Sequence, residues 1–135
     1  MPFVLDNSVV SGWFLQDQAN VYTRAIAHRL QDDQALVPAI WELEFANVLR
    51  TACVRQRMNS QAAHEVAEQV SRLPIEVDRR SVGPSEILGL SLRFGLSSYD
   101  AAYLELALRQ RVPVATQDER LRAAALASGV GWVRV

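Results

Sequence analysis

The chain has 135 residues, 50% hydrophobic and 21% charged, with a mean hydropathy of +0.01. That suits one globular domain over residues 1–135 and is too apolar for a disordered chain. All 14 basic residues are arginine and set against 15 acids, which excludes lysine chemistry and leaves a net charge of -1, too little for bulk attraction to nucleic acid. The single cysteine, Cys53, excludes an internal disulfide and a cysteine-based zinc site.

No apolar run approaches the roughly 20 residues that span a bilayer, and Met1–Asp6 lacks a basic start and long apolar stretch, so the expected location is cytoplasmic. Phe3-Val4-Leu5 reads as a buried strand that meets a turn at Asp6-Asn7-Ser8. Apolar spacing of three and four predicts a helix from about Ala19 to Leu30, and Ala35 to Pro38 reads as a second strand. Trp41 to Met58 and Ser60 to Leu73 read as helices separated by the Asn59-Ser60 break. Pro74 to Val77 is a candidate strand. Pro84 at a first helical turn and Gly95 as a stop delimit the next helix, and Ser98 to Arg111 form another. Val112 to Ala115 is a strand. Thr116 as cap with Glu119 reaching back matches a capping box for a helix ending near Gly129, and Trp132 to Val135 is a terminal strand. Short apolar strands alternating with helices predict an α/β sandwich around a parallel sheet.

Four acids occupy informative positions. Asp6 follows the first strand and Asp118 the fourth, Asp100 lies in a first helical turn, and Glu44 lies in the first turns of the helix after Pro38. In open parallel sheets the carboxyl ends of strands and adjoining helix starts line one ligand crevice. Taken singly, Asp100 and Asp118 have a plain structural explanation as first-turn acids. Together, four carboxylates in one crevice repel by roughly 4 kcal/mol per pair at 4 Å and an effective dielectric near 20. Such a cluster persists by protonation, by separation or by holding a cation, and an all-oxygen set suits Mg²⁺ or Mn²⁺.

Val4-Leu5-Asp6-Asn7-Ser8-Val9, Glu44-Phe45-Ala46-Asn47-Val48-Leu49, Ser98-Tyr99-Asp100-Ala101-Ala102-Tyr103 and Ala115-Thr116-Gln117-Asp118-Glu119-Arg120-Leu121 resemble, in order, the four acidic motifs of PIN domains, and most nearly those of VapC-type toxins of toxin–antitoxin pairs. The resemblance implies a PIN-like three-layer α/β/α sandwich with a central, mostly parallel sheet. It further implies a Mg²⁺- or Mn²⁺-dependent ribonuclease with Asp6, Glu44, Asp100 and Asp118 around one or two ions, a cognate antitoxin and a twofold homodimer.

Supporting roles follow from the crevice. Ser8 and Thr116 are placed to orient a metal-bound water, and Asn47, three residues after Glu44, shares its helix face and is placed to aim it. Glu42 falls nearly opposite Glu44, toward solvent. His28 and His64 read as surface residues, Cys53 as a small core residue, and Trp13, Trp41 and Trp132 as packing residues. Arg50, Arg55, Arg57, Arg79, Arg80, Arg109, Arg111, Arg120 and Arg122 are available to phosphates, although scattered helix arginines are more often simply solvated. An aspartyl-nucleophile phosphatase also places an Asp after its first strand, but wants an acid where Ser8 stands and a lysine this chain lacks. The remaining alternative is a catalytically silent PIN-fold module that binds RNA or a partner; loss of one of the acids would signal it, and all are present.

Overall fold

The computed structural model describes every residue except Gln16 and Gln18. Its order is β1 (Phe3–Leu5), α1 (Asn7–Phe14), α2 (Val21–Arg29), β2 (Ala35–Pro38), α3 (Ile40–Val54), α4 (Ser60–Ser71), β3 (Ile75–Asp78), α5 (Pro84–Phe94), α6 (Ser98–Gln110), β4 (Val114–Ala115) and α7 (Glu119–Ser128). The strands form one sheet in the order β3-β2-β1-β4, and every pair is parallel. The mostly parallel sheet expected from sequence is therefore wholly parallel.

β1 is central and completely buried at Phe3, Val4 and Leu5, which is why it reads as an unbroken apolar run. α6 lies against β1, β2 and β4 and carries α5 and α7, whereas α1 packs with α2 and α3, and α3 with α4. These helices flank the sheet in the three-layer α/β/α arrangement. Among the described residues no helix is long and apolar enough to cross a membrane.

Three local readings are corrected. Asp6-Asn7-Ser8 is not an open turn: Asp6 is the N-cap position of α1, which starts at once. Its sequence NSVVSGWF combines β-branched residues with Gly12, poor helix formers by themselves, yet Val9, Val10, Ser11 and Gly12 are buried, so tertiary packing holds the helix. The capping box assigned to Thr116 and Glu119 is also absent; the cap of α7 is Asp118, whose Oδ1 accepts from Leu121 N at 2.9 Å. Finally, Trp132 to Val135 do not extend the sheet as a strand. Trp132 makes a single parallel bridge to Val114.

Candidate metal-binding crevice

Because the strands are parallel, the residues after β1 and β4 and the start of α3 after β2 all lie at the carboxyl edge of the sheet. Asp6 is placed there by β1, Asp118 by the turn after β4, and Glu44 by the second turn of α3. Asp100 is delivered by the first turn of α6, whose start is fixed by the Ser97 hydroxyl accepting from Asp100 N at 3.1 Å.

Asp6 is buried and its Oδ2 accepts from both Ser8 Oγ and Thr116 Oγ1, each at 2.7 Å. The direction of both bonds is set by the backbone. Gln117 N donates to Ser8 Oγ at 3.0 Å and Asp118 N donates to Thr116 Oγ1 at 3.0 Å. A hydroxyl has one proton to give, so each oxygen, already accepting, turns its proton to the carboxylate. Thr116 Oγ1 accepts from Asp118 N, short of the helix, while Asp118 Oδ1 accepts from Leu121 N and so caps α7. Gln117 Nε2 adds a bond to Ser8 O at 2.9 Å, and its Oε1 accepts from Asn20 Nδ2. Ser8 and Thr116 thus hold the carboxylate Asp6 itself.

Glu44 is held by a residue that sequence reasoning missed. The buried Tyr103 hydroxyl donates to Glu44 Oε1 at 2.6 Å, while Asn47, expected to aim Glu44, is exposed and makes no such bond among the described residues. The signal was present: Tyr103 lies three residues after Asp100, on the same face of α6. Glu42 points away as expected and pairs with Arg79 at 2.9 Å. His28 and His64 are exposed, and Cys53 is half-buried against the core.

The carboxylates sense one another. Burial, then the charges of Asp6, Asp118 and Glu44, push the Asp100 carboxyl up to about 6. Burial also raises Asp6, against its hydroxyl bonds and with help from Asp118. Glu44 is raised by burial and by Asp6, against the Tyr103 bond. No group of three or more His, Cys, Asp or Glu side chains among the described residues is gathered tightly enough to grip one ion directly. Mutual repulsion favours that spacing, and the donor chemistry still fits a hard cation, because Mg²⁺ keeps several waters and needs only one or two direct carboxylates. The side-chain oxygen of Asn7, next to Asp6, is buried without a partner, a further oxygen donor at this edge.

A parallel α/β sandwich with an acidic crevice at its carboxyl edge defines a class of protein built to work on a ligand there. The sequence profile of the PIN domain matches residues 3–126, and the chain belongs to the PIN domain family, whose members are generally nucleases. The chain is similar in fold to the crystal structure of PAE2754 from Pyrobaculum aerophilum, with a TM-score of 0.70 and 20% identity, covering 93% of this chain and 85% of that one. No curated protein sequence matches it.

Proposed function

We propose that this protein is a divalent-metal-dependent endoribonuclease, a single domain over residues 1–135 whose catalytic residues are Asp6, Glu44, Asp100 and Asp118. The observation that carries the reading is the convergence of four carboxylates at one sheet edge: Asp100, pushed up to about 6 by burial first, also feels the charges of Asp6, Asp118 and Glu44. A purely structural first-turn acid gains nothing from such neighbours, whereas a cation site requires them. Asp6, Asp100, Asp118 and Glu44 would hold Mg²⁺ or Mn²⁺; when bound, such an ion polarises a phosphodiester and activates water at neutral pH. The chain's own contribution is preorganisation. Ser8 and Thr116 occupy Oδ2 of Asp6 and leave its other oxygen for the site, and Tyr103 does the same for Glu44.

On the VapC-type resemblance, our reading further takes this protein as the toxin of a toxin–antitoxin pair, working as a homodimer on single-stranded or structured RNA and restrained by a cognate antitoxin. The apolar groove of about 630 Å³ between α3, α4 and β3, lined by Trp41, Phe45, Leu49, Val70 and Ile75, supports a protein partner. A silent binding module is the weaker reading, because all four acids are present and three of them are held by specific hydrogen bonds.

The test is digestion of an RNA pool with Mg²⁺, with Mn²⁺ and with EDTA. Cleavage should require metal and should fall by orders of magnitude in Asp6→Asn, Glu44→Gln, Asp100→Asn and Asp118→Asn proteins that remain folded. Wild-type cleavage by Asp6→Asn or Asp100→Asn would remove the assignment.

A further inference from the structure

A crevice of carboxylates repels the phosphates it must receive, so the substrate chain needs a fixed cation close by. Arg29, Arg57, Arg79 and Arg109 are each neutralised by a carboxylate. Arg122 is different. It lies in the first turn of α7, and its backbone N donates to O of the cap residue Asp118 at 2.9 Å. Its guanidinium lies 3.9 Å from the centroid of the Trp132 ring. That ring stacks on Tyr22, with centroids 4.9 Å apart and planes 7° from parallel. The stack is anchored to the crevice itself: Trp132 Nε1 donates to Thr116 O at 2.9 Å, and Thr116 Oγ1 holds Asp6. On its far side Tyr22 donates to Val133 O at 2.9 Å. The three-layer pile of Tyr22, Trp132 and Arg122 therefore fixes a surface arginine relative to Asp6 and Asp118, and no carboxylate pairs with that arginine among the described residues.

We propose that Arg122 is a substrate-binding residue that grips an RNA backbone phosphate next to the scissile bond. The assignment rests on the ribonuclease reading above. A cation over an aromatic ring spends no N–H on a carboxylate, so the exposed Arg122 keeps donors for phosphate oxygens. Arg120, two residues before Arg122 in α7, lies on another face of the helix, and no aromatic ring underlies its guanidinium among the described residues. The aromatic pile supplies the order that a solvated arginine lacks, and it explains why the last residues of the chain fold back over β4 instead of trailing from it.

Equilibrium binding of a mixed-sequence single-stranded RNA, measured on an Asp6→Asn background over a salt series, tests this directly. Losing one phosphate contact lowers the slope of log affinity against log salt by about 0.7, which is the change expected for Arg122→Ala. In the active protein Arg122→Ala should raise KM roughly tenfold with little change in kcat. Trp132→Leu, checked for an intact fold by its melting curve, keeps the charge and removes the platform, so affinity should fall while the salt slope holds. If the wild type cuts RNA and Arg122→Ala matches it in both slope and KM, the assignment of Arg122 is overturned alone. If the wild type neither binds nor cuts RNA, the ribonuclease reading falls and takes this assignment with it.

Discussion

Asp100 concentrates the electrostatic strain of the crevice. Its carboxyl titrates at about 6 against an ordinary value of 3.8, so between those limits the folded protein keeps a proton that the unfolded chain has released. The unfolded state then binds fewer protons, and stability falls as pH rises through that window, levelling off above about pH 6. Melting temperatures in EDTA, from about pH 4 to about pH 7, should therefore decline for the wild type by more than for Asp100→Asn. Asp6 and Glu44, also raised, act in the same direction in both proteins, so the difference between the two curves reports Asp100 together with its coupling to them. Above pH 6 the asparagine variant should melt higher than the wild type, and Mg²⁺ should narrow the gap by stabilising the wild type more. Identical curves would mean that Asp100 does not feel its neighbours.

Among the elements, α6 contributes most to the site. One of its faces presents Asp100 to the crevice and, one turn on, Tyr103 to Glu44 of α3, so two carboxylates from separate helices are set by a single buried element. The Tyr103 hydroxyl is held far above its usual range by burial first and then by Glu44, so it acts as a donor throughout the working pH range. Tyr103→Phe keeps the ring and removes that donor. It should cost about 1.5–3 kcal/mol of stability in urea unfolding, in line with hydrogen bonds to charged groups, and should slow RNA cleavage with Asp100 untouched. Unchanged turnover would show that Glu44 needs no phenol to hold it. At the other end of α6, Arg109 pairs with Glu105 at 2.9 Å and with Asp78 at 2.6 Å, tying the helix to the end of β3.

At the scale of the whole molecule, α5 is the element whose packing is incomplete. It carries five apolar residues from Ile87 to Phe94, yet none of its residues is buried, and Leu88 and Leu92 are 56% and 75% exposed. They stand four residues apart on one face, which makes this face the one to test for a partner. A second copy is the partner the proposed homodimer requires. Light scattering should give a mass near twice 15.1 kDa, and Leu88→Arg with Leu92→Arg should return it to a single chain without lowering the melting temperature of the protomer severely. A wild-type protein that stays monomeric at tens of micromolar would remove the dimer.

The sequence by itself determined the class of fold and singled out the candidate acids. Apolar runs as short as Phe3-Val4-Leu5 can be stable only when covered on both faces, so alternating them with amphipathic helices leaves a parallel, layered sheet as the natural arrangement. Asp6, Glu44, Asp100 and Asp118 stand out as candidates because strand ends and helix starts are local features. Tertiary structure decided which side chain holds which carboxylate. Asn47 was chosen for Glu44 because helical spacing is the only neighbour relation a sequence displays, whereas Tyr103 reaches Glu44 across 59 positions of chain. Thr116 satisfied every local rule for a helix cap, yet α7 starts two residues later on the Asp118 cap, and the Thr116 hydroxyl donates to Asp6 across 110 positions while accepting from Asp118 N. α1 was illegible for the same reason: its residues are weak helix formers, and only the burial of Val9 and Val10 against the assembled core makes the helix the stable state.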